Sequence, residues 1–345
     1  MLPLLTVFTP SYNRAHLLPR QYAALLRQTS QDFCWLIIDD GSADNTRELV
    51  AGWIAEGKIS ISYHYKENGG MHTAHNAAYE LITTELNTCI DSDDWMPDDA
   101  VAKIVSRWRQ HGSAKYAGMI ALDAVVSNHS PARQQGDLTR NNESETPALM
   151  DSSVPHSIPS ITVGAGISPD ANHLTVIGTR LPTNRTEIRL GEFYANGGTG
   201  DKKLIYRTEV MRRYPPYPTF TGEKYVSLAY KYQLADQDYP LLILNEIVCI
   251  VEYQTDGSSC NMFHQYRRNP RGFAFMRKQD MIYGYTRKQR FKAATHYIAK
   301  SLLLRNPRFL LESPRKLLTL AAILPGVLLY FYIMHTKAAS PFKGK

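Results

Sequence analysis

Four short apolar runs in the first hundred residues each stop at a polar cluster, and stretches of helical spacing separate them. Residues 4–8 (Leu-Leu-Thr-Val-Phe) end before Pro10 and Ser11-Tyr12-Asn13. Residues 33–38 end at Asp39-Asp40-Gly41-Ser42. The alternating Ile59, Ile61, Tyr63 and Tyr65 lead to Asn68-Gly69-Gly70, and residues 87–90 are cut off by Asp91. Between them, residues 16–28 carry Leu18, Tyr22, Leu25 and Leu26 at helical spacing, a helix is predicted near 45–56, and residues 73–86 carry Ala74, Ala77, Ala78, Leu81 and Ile82 on one stripe. Strand–helix–strand repetition of this kind predicts an α/β chain with a mostly parallel sheet and helices on both faces. Ligands bind such sheets beyond the carboxyl ends of the strands, where all four polar clusters fall.

The clusters have chemical content. Asp91, Asp93 and Asp94 crowd like charges at a strand end, which is unfavourable without a cation. Hard divalent ions such as Mg2+ or Mn2+ take oxygen ligands of this type and complete their shell with phosphates and water. A solvated turn capping a helix near Pro97 is the plainer account. An EF-hand loop is excluded, because Met96 stands where that loop needs glycine. Asp39-Asp40-Gly41-Ser42 also reads as a helix cap, and His72 and His75 as surface histidines, with phosphate contact as the alternative. No GxGxxG follows the first strand and no GxxxxGK[ST] occurs, which argues against dinucleotide and phosphate-loop enzymes.

In combination, Pro10-Ser11-Tyr12-Asn13-Arg14, Asp39-Asp40-Gly41-Ser42, residues 67–76 and Asp91-Ser92-Asp93-Asp94 resemble the family 2 glycosyltransferases of the GT-A fold, mostly inverting bacterial enzymes of surface-polysaccharide synthesis. The resemblance covers residues 1–105 and resumes at Gly200-Asp201-Lys202, at Thr221-Gly222-Glu223-Lys224 and over residues 252–258. It implies a nucleotide-diphosphate-sugar donor, usually of UDP, and a glycan or lipid-linked acceptor. Pro10 and Tyr12 would flank the base, Asp40 would accept its ring N–H, Asn68 and Asp91 would lie with the nucleotide sugar, Asp91 near the ribose, and Asp93 would bind Mn2+ or Mg2+. Glu223 would be the general base, with Asp201 and Asp238 as alternatives, because Lys224 stands where the family usually has aspartate. Met71 and His75 depart from residues common in relatives. A sugar-nucleotidyltransferase or a non-catalytic nucleotide-sugar-binding protein are the competing readings.

Residues 106–260 are expected to form the acceptor-binding half, interrupted near 127–186 by a disordered insertion rich in Ser, Thr, Asn and Pro. Residues 239–253 predict one or two strands. Four cysteines without metal spacing read as buried thiols of a reducing compartment. The N-terminus lacks the pattern of a signal peptide, so a cytoplasmic catalytic part is expected.

Residues 261–345 form a basic helical tail, with 17 Lys/Arg against 2 Asp/Glu, a net charge of +15, while the rest of the chain nets −8. Such asymmetry marks a surface that meets something anionic. Because the basic residues run into the uncharged apolar stretch 317–334, an anionic membrane surface suits residues 305–345 better than nucleic acid. Pro325-Gly326 predicts two short helical pieces rather than one straight span, placing the protein peripherally on the inner face of the membrane. A core helix packed on the catalytic domain is the alternative.

Overall fold

The computed structural model describes residues 3–126, 174–252, 254 and 262–336. The N-terminal part runs β1 (Leu5–Ser11), α1 (Leu18–Leu26), β2 (Phe33–Asp39), α2 (Thr46–Glu56), β3 (Ile61–Tyr65), α3 (Met71–Leu81), β4 (Leu86–Cys89) and α4 (Ala100–His111). Periodicity places these elements well. The exception is the end of α3, which stops at Leu81 because Ile82 turns extended at the start of the β-branched run Ile82-Thr83-Thr84. The buried face of α3 is also rotated from the expected stripe: His72, Ala74, His75, Ala78 and Tyr79 face inward, and Leu81 lies outside.

The second half adds β5 (Gly118–Val126), β6 (Leu174–Val176), β7 (Glu187–Ile188), α5 (Leu190–Ala195), β8 (Lys202–Arg207), α6 (Thr208–Arg213), α7 (Ala229–Asp238) and β9 (Leu241–Ile250). All nine strands share one sheet of order β3-β2-β1-β4-β8-β5-β9-β7, with β6 paired to β5. The pairs β1–β2, β2–β3, β1–β4 and β5–β9 are parallel, whereas β8 lies antiparallel between β4 and β5. Because β8 runs backwards, its first residues sit beside the last residues of β4: Ile205 pairs with Thr88 and Arg207 with Leu86. The expected insertion is narrower than 127–186, since residues 174–186 contribute β6 and the approach to β7. Residues 127–173 lie outside the described residues. Two apolar clusters sandwich the sheet, one around Trp35, Leu86 and Trp108 and the other around Phe8, Ala78 and Tyr206.

The C-terminal extension is helical: α8 (Met262–Arg268), α9 (Pro270–Tyr283), α10 (Arg287–Leu303), α11 (Phe309–Glu312), α12 (Lys316–Ala321) and α13 (Ile323–His335). Helix α10 starts with a full capping box, Thr286 and Gln289 each satisfying the other's backbone N–H. The apolar stretch does form two pieces, but the break falls at Ala322. Pro325 sits in the first turn of α13, where a missing N–H costs nothing. None of the described helices is long and apolar enough to cross a membrane. Cys34 and Cys89 are half-buried free thiols rather than fully buried ones, and only Cys249 among the described cysteines is buried.

Candidate active site

At the end of β1 the chain turns through Asn13, whose φ of +54° is a conformation asparagine tolerates better than most residues. Its neighbours hold it there. The Asn13 N–H donates to Ser42 Oγ (2.9 Å), Asn13 Oδ1 accepts from the Ala43 N–H (2.8 Å), and the Ala15 N–H donates to Asp44 (2.9 Å). Tyr12 therefore projects from a braced turn with 49% of its surface exposed, while Pro10 is buried in β1 beside Ile38.

The carboxylates closing β2 work within the chain. Asp39 accepts from the Ser42 N–H (2.7 Å) and the Tyr63 hydroxyl (2.5 Å). Asp40 accepts from Lys66 Nζ (2.5 Å), the Gly69 N–H (3.0 Å), the Gly70 N–H (2.7 Å) and Asn68 Nδ2 (3.4 Å). Four donors fill the lone-pair sites of a carboxylate, so Asp40 fixes the shape of the loop from Lys66 to Gly70. Gly70 has φ +94°, and a side chain there would meet the Lys224 carbonyl at 2.0 Å. Lys224 Nζ in turn donates to Asn68 Oδ1. Next along the chain, His72 and His75 are buried, not surface residues. Burial lowers both, His75 to about 3, so its ring is neutral against Phe8, 4.9 Å away.

Beyond β4, the turn from Asp91 to Asp94 is closed by the Asp94 N–H donating to the Asp91 carbonyl (2.9 Å). Asp93 pairs with Arg14 (3.2 Å), and burial, then the charge of Asp91, pushes its carboxyl up to about 6. Arg20 braces the turn from behind: it donates to the Asp93 carbonyl (2.6 Å), stacks 4.1 Å over Trp95 and pairs with Glu252. Asp94 is buried and accepts from the Glu252 N–H (3.2 Å). It points inward, to a cluster that sequence reading missed. Lys203 of β8 lies 3.9 Å from the buried Asp123 of β5 and bonds the Cys89 carbonyl. Burial opposes the charge of Lys203, but Asp123, Cys249, Asp94 and Asp91 together hold it protonated well above its ordinary range. Burial likewise pushes Asp123 up to about 6 against the pull of Lys203.

Asp91 and Asp93 thus offer carboxylate oxygens on one turn, and Arg14 supplies a positive charge beside Asp93. No group of three or more His, Cys, Asp or Glu residues arranged for a metal occurs among the described residues. The donor set fits a hard divalent ion completed by phosphate oxygens and water.

Glu223 is engaged within the chain. Its two oxygens accept the N–H groups of Arg271 (2.9 Å) and Gly272 (2.9 Å), capping the N-terminus of α9. Asp238 is at the wrong edge: it ends α7 just before β9, whose first residue Leu241 pairs with Gly118 at the start of β5, and it binds the Tyr214 hydroxyl (2.6 Å). Asp201 is different. The antiparallel register of β8 sets it, exposed, on the same edge as Asp91 to Asp94.

Residues 6–164 match the model of glycosyl transferase family 2. The matched segment is just under half of the chain. The chain is similar to validoxylamine A glucosyltransferase of Streptomyces hygroscopicus subsp. jinggangensis, 38% identical over 94 residues, which is 26% of this chain and 22% of that protein. It is also similar to chondroitin synthase of Pasteurella multocida, 34% identical over 100 residues, 29% of this chain and 10% of that protein. The chain thus spans only a fifth and a tenth of these relatives' lengths. The fold extends further than the sequence likeness. The structure of S. aureus TarS 1–349 in complex with UDP-GlcNAc superposes over 95% of this chain and 81% of that one, with a TM-score of 0.52 at 13% identity. The chain therefore shares the GT-A architecture, a mixed sheet flanked by helices.

Proposed function

We propose that this protein transfers a sugar, with inversion, from a nucleoside-diphosphate donor, a UDP-sugar first, to a hydroxyl of a glycan or lipid-linked acceptor in surface-polysaccharide synthesis. The observation that carries the reading is the meeting of a half-exposed Tyr12 and the carboxylates of Asp91 and Asp93 at one sheet edge. A likeness to a glucosyltransferase, and to a structure seen with UDP-GlcNAc, supports it.

In this reading Tyr12 packs on the base above Pro10, and Asn68 and Asp91 border the nucleotide sugar. Asp40 acts by holding the loop from Lys66 to Gly70 in place, since its own acceptor positions are taken. Asp93, with Asp91 beside it, would hold Mn2+ or Mg2+, and a divalent ion there would offset charge on the departing nucleoside diphosphate. Asp201 takes the proton from the acceptor hydroxyl as that oxygen bonds to the anomeric carbon and the bond to the diphosphate breaks. Glu223 positions instead: it ties the strip from Thr221 to Tyr225, which abuts Gly70, to the first turn of α9. Residues 305–345 bring this machinery to an anionic membrane surface, on the cytoplasmic face.

A panel of UDP- and GDP-sugars assayed for nucleotide release, with and without chelator, tests the reading. Release from at least one donor that stops in EDTA and returns with Mn2+ or Mg2+ is expected. Tight binding of all donors with no release would favour a non-catalytic binding protein.

Base recognition is tested separately. Tyr12→Ala should weaken UDP binding by about tenfold, because stacking on an aromatic ring is worth roughly 1–3 kcal/mol per base. The fold should survive, since Tyr12 projects into solvent. Calorimetry showing unchanged UDP affinity would place the base elsewhere.

A further inference from the structure

Helix α13 is apolar all round: between Ile323 and Met334 it holds no Asp, Glu, Lys or Arg. Such a helix needs apolar cover on every side. The fold covers one side. Ala322, Gly326, Leu329 and Ile333 are buried toward α10, so closely that a side chain on Gly326 would meet Ile298 at 2.6 Å. The opposite side is bare. Leu317 is 84% exposed, Leu324 70% and Leu328 63%, and Leu320 and Phe331 continue the same stripe across α12 and α13. Spacings of three and four residues put these five side chains in one row, contiguous rather than scattered.

What surrounds the row decides its partner. Arg305, Arg308, Arg315 and Lys316 are exposed before or at its start, Lys337, Lys343 and Lys345 follow it in sequence, and the one acidic residue from 305 to 336, Glu312, is paired with Lys278. An apolar strip beside cations matches acyl chains beside anionic headgroups. A crossing is not what the geometry offers. Helix α13 has 13 residues, about 20 Å at 1.5 Å each, against roughly 30 Å of hydrocarbon. Its inner face is also held by the protein.

We propose that the outer face of α12 and α13 is an in-plane docking surface for an anionic bilayer, with Leu317, Leu320, Leu324, Leu328 and Phe331 entering the acyl boundary and Arg305, Arg308, Arg315 and Lys316 lying among the headgroups. This deepens the functional reading by naming the surface on which the acceptor would be met, and it rests on that reading for its purpose. The orientation follows from packing: α13 is buried on α10, α10 packs on α9, and the first turn of α9 is pinned by Glu223 and Asn269 to the strip beside the donor loop. The membrane face and the nucleotide face thus belong to one packed body.

Vesicle flotation of the full chain without any donor separates this inference from the catalytic one. The wild type should float with phosphatidylcholine vesicles containing phosphatidylglycerol, lose most binding in high salt, and stay behind with phosphatidylcholine alone. Leu324→Glu/Leu328→Glu replaces side chains the fold leaves exposed, so it should stay folded while vesicle binding falls by about tenfold or more. Arg308→Gln/Lys316→Gln should weaken binding by about fivefold per charge. Nucleotide release from a soluble donor should be unchanged in both. A wild-type protein that does not float overturns the proposal. So does a dimer in light scattering that Leu324→Glu/Leu328→Glu dissociates while vesicles bind neither form, because the strip would then be covered by a second copy.

Discussion

Asp93→Asn is expected to cut nucleotide-sugar turnover by at least about 10²-fold, since even outer partners of a metal ligand are worth 10- to 100-fold in metal affinity or activity. The substitution removes a charge that burial and Asp91 make costly to keep, so the protein should remain folded. Calorimetry should show weaker Mn2+ binding alone and a larger loss when UDP is present, because the ion would share ligands with the diphosphate. Arg14→Gln serves as the control: it removes the cation beside Asp93 without removing a ligand. Asp93→Asn with wild-type turnover, or undiminished turnover of the wild type in chelator, would end the metal reading.

The second large effect separates two carboxylates. Asp201→Asn should lower kcat by roughly 10²- to 10⁴-fold with little change in donor KM, the range for a general base that acts in the transition state. Glu223→Gln should do something else. It exchanges one of two acceptors at the start of α9 for an amide nitrogen, which costs about 0.5–2 kcal/mol as a lost cap. The melting temperature should drop, while kcat falls by less than for Asp201→Asn. If Glu223→Gln loses turnover without losing stability and Asp201→Asn loses neither, proton removal returns to Glu223.

The difference between these carboxylates could not be read from the chain. Thr221-Gly222-Glu223-Lys224 resembles a family motif, but the cap is made with Arg271 and Gly272, 48 and 49 positions on. No local pattern announces such a bond. The N-terminal part was legible for the opposite reason. Its strands and helices alternate at short range, and each polar cluster directly follows the strand that delivers it. Strand β8 shows where legibility ends. Lys-Lys-Leu-Ile-Tyr-Arg has no alternation to mark it, and only its pairing with β4 and β5 reveals that Lys203 reaches the buried Asp123. The histidines failed through orientation: a modest rotation of α3 carried His72 and His75 inside and Leu81 out.

The antiparallel seat of β8 also sets a schedule for making the protein. On a ribosome β1 to β4 emerge before β8, so β4 has β1 on one side and nothing on the other until β8 has been synthesised. From Cys89 to Lys202 is 113 positions, which at about 5–20 residues per second is a wait of roughly 6–23 s. During that interval β4 presents an open edge of unpaired backbone N–H and C=O groups to other nascent chains. A slowly translated message would lengthen the exposure, and holding factors that favour unpaired strands would be drawn to this nascent chain more than to one whose sheet closes in sequence order.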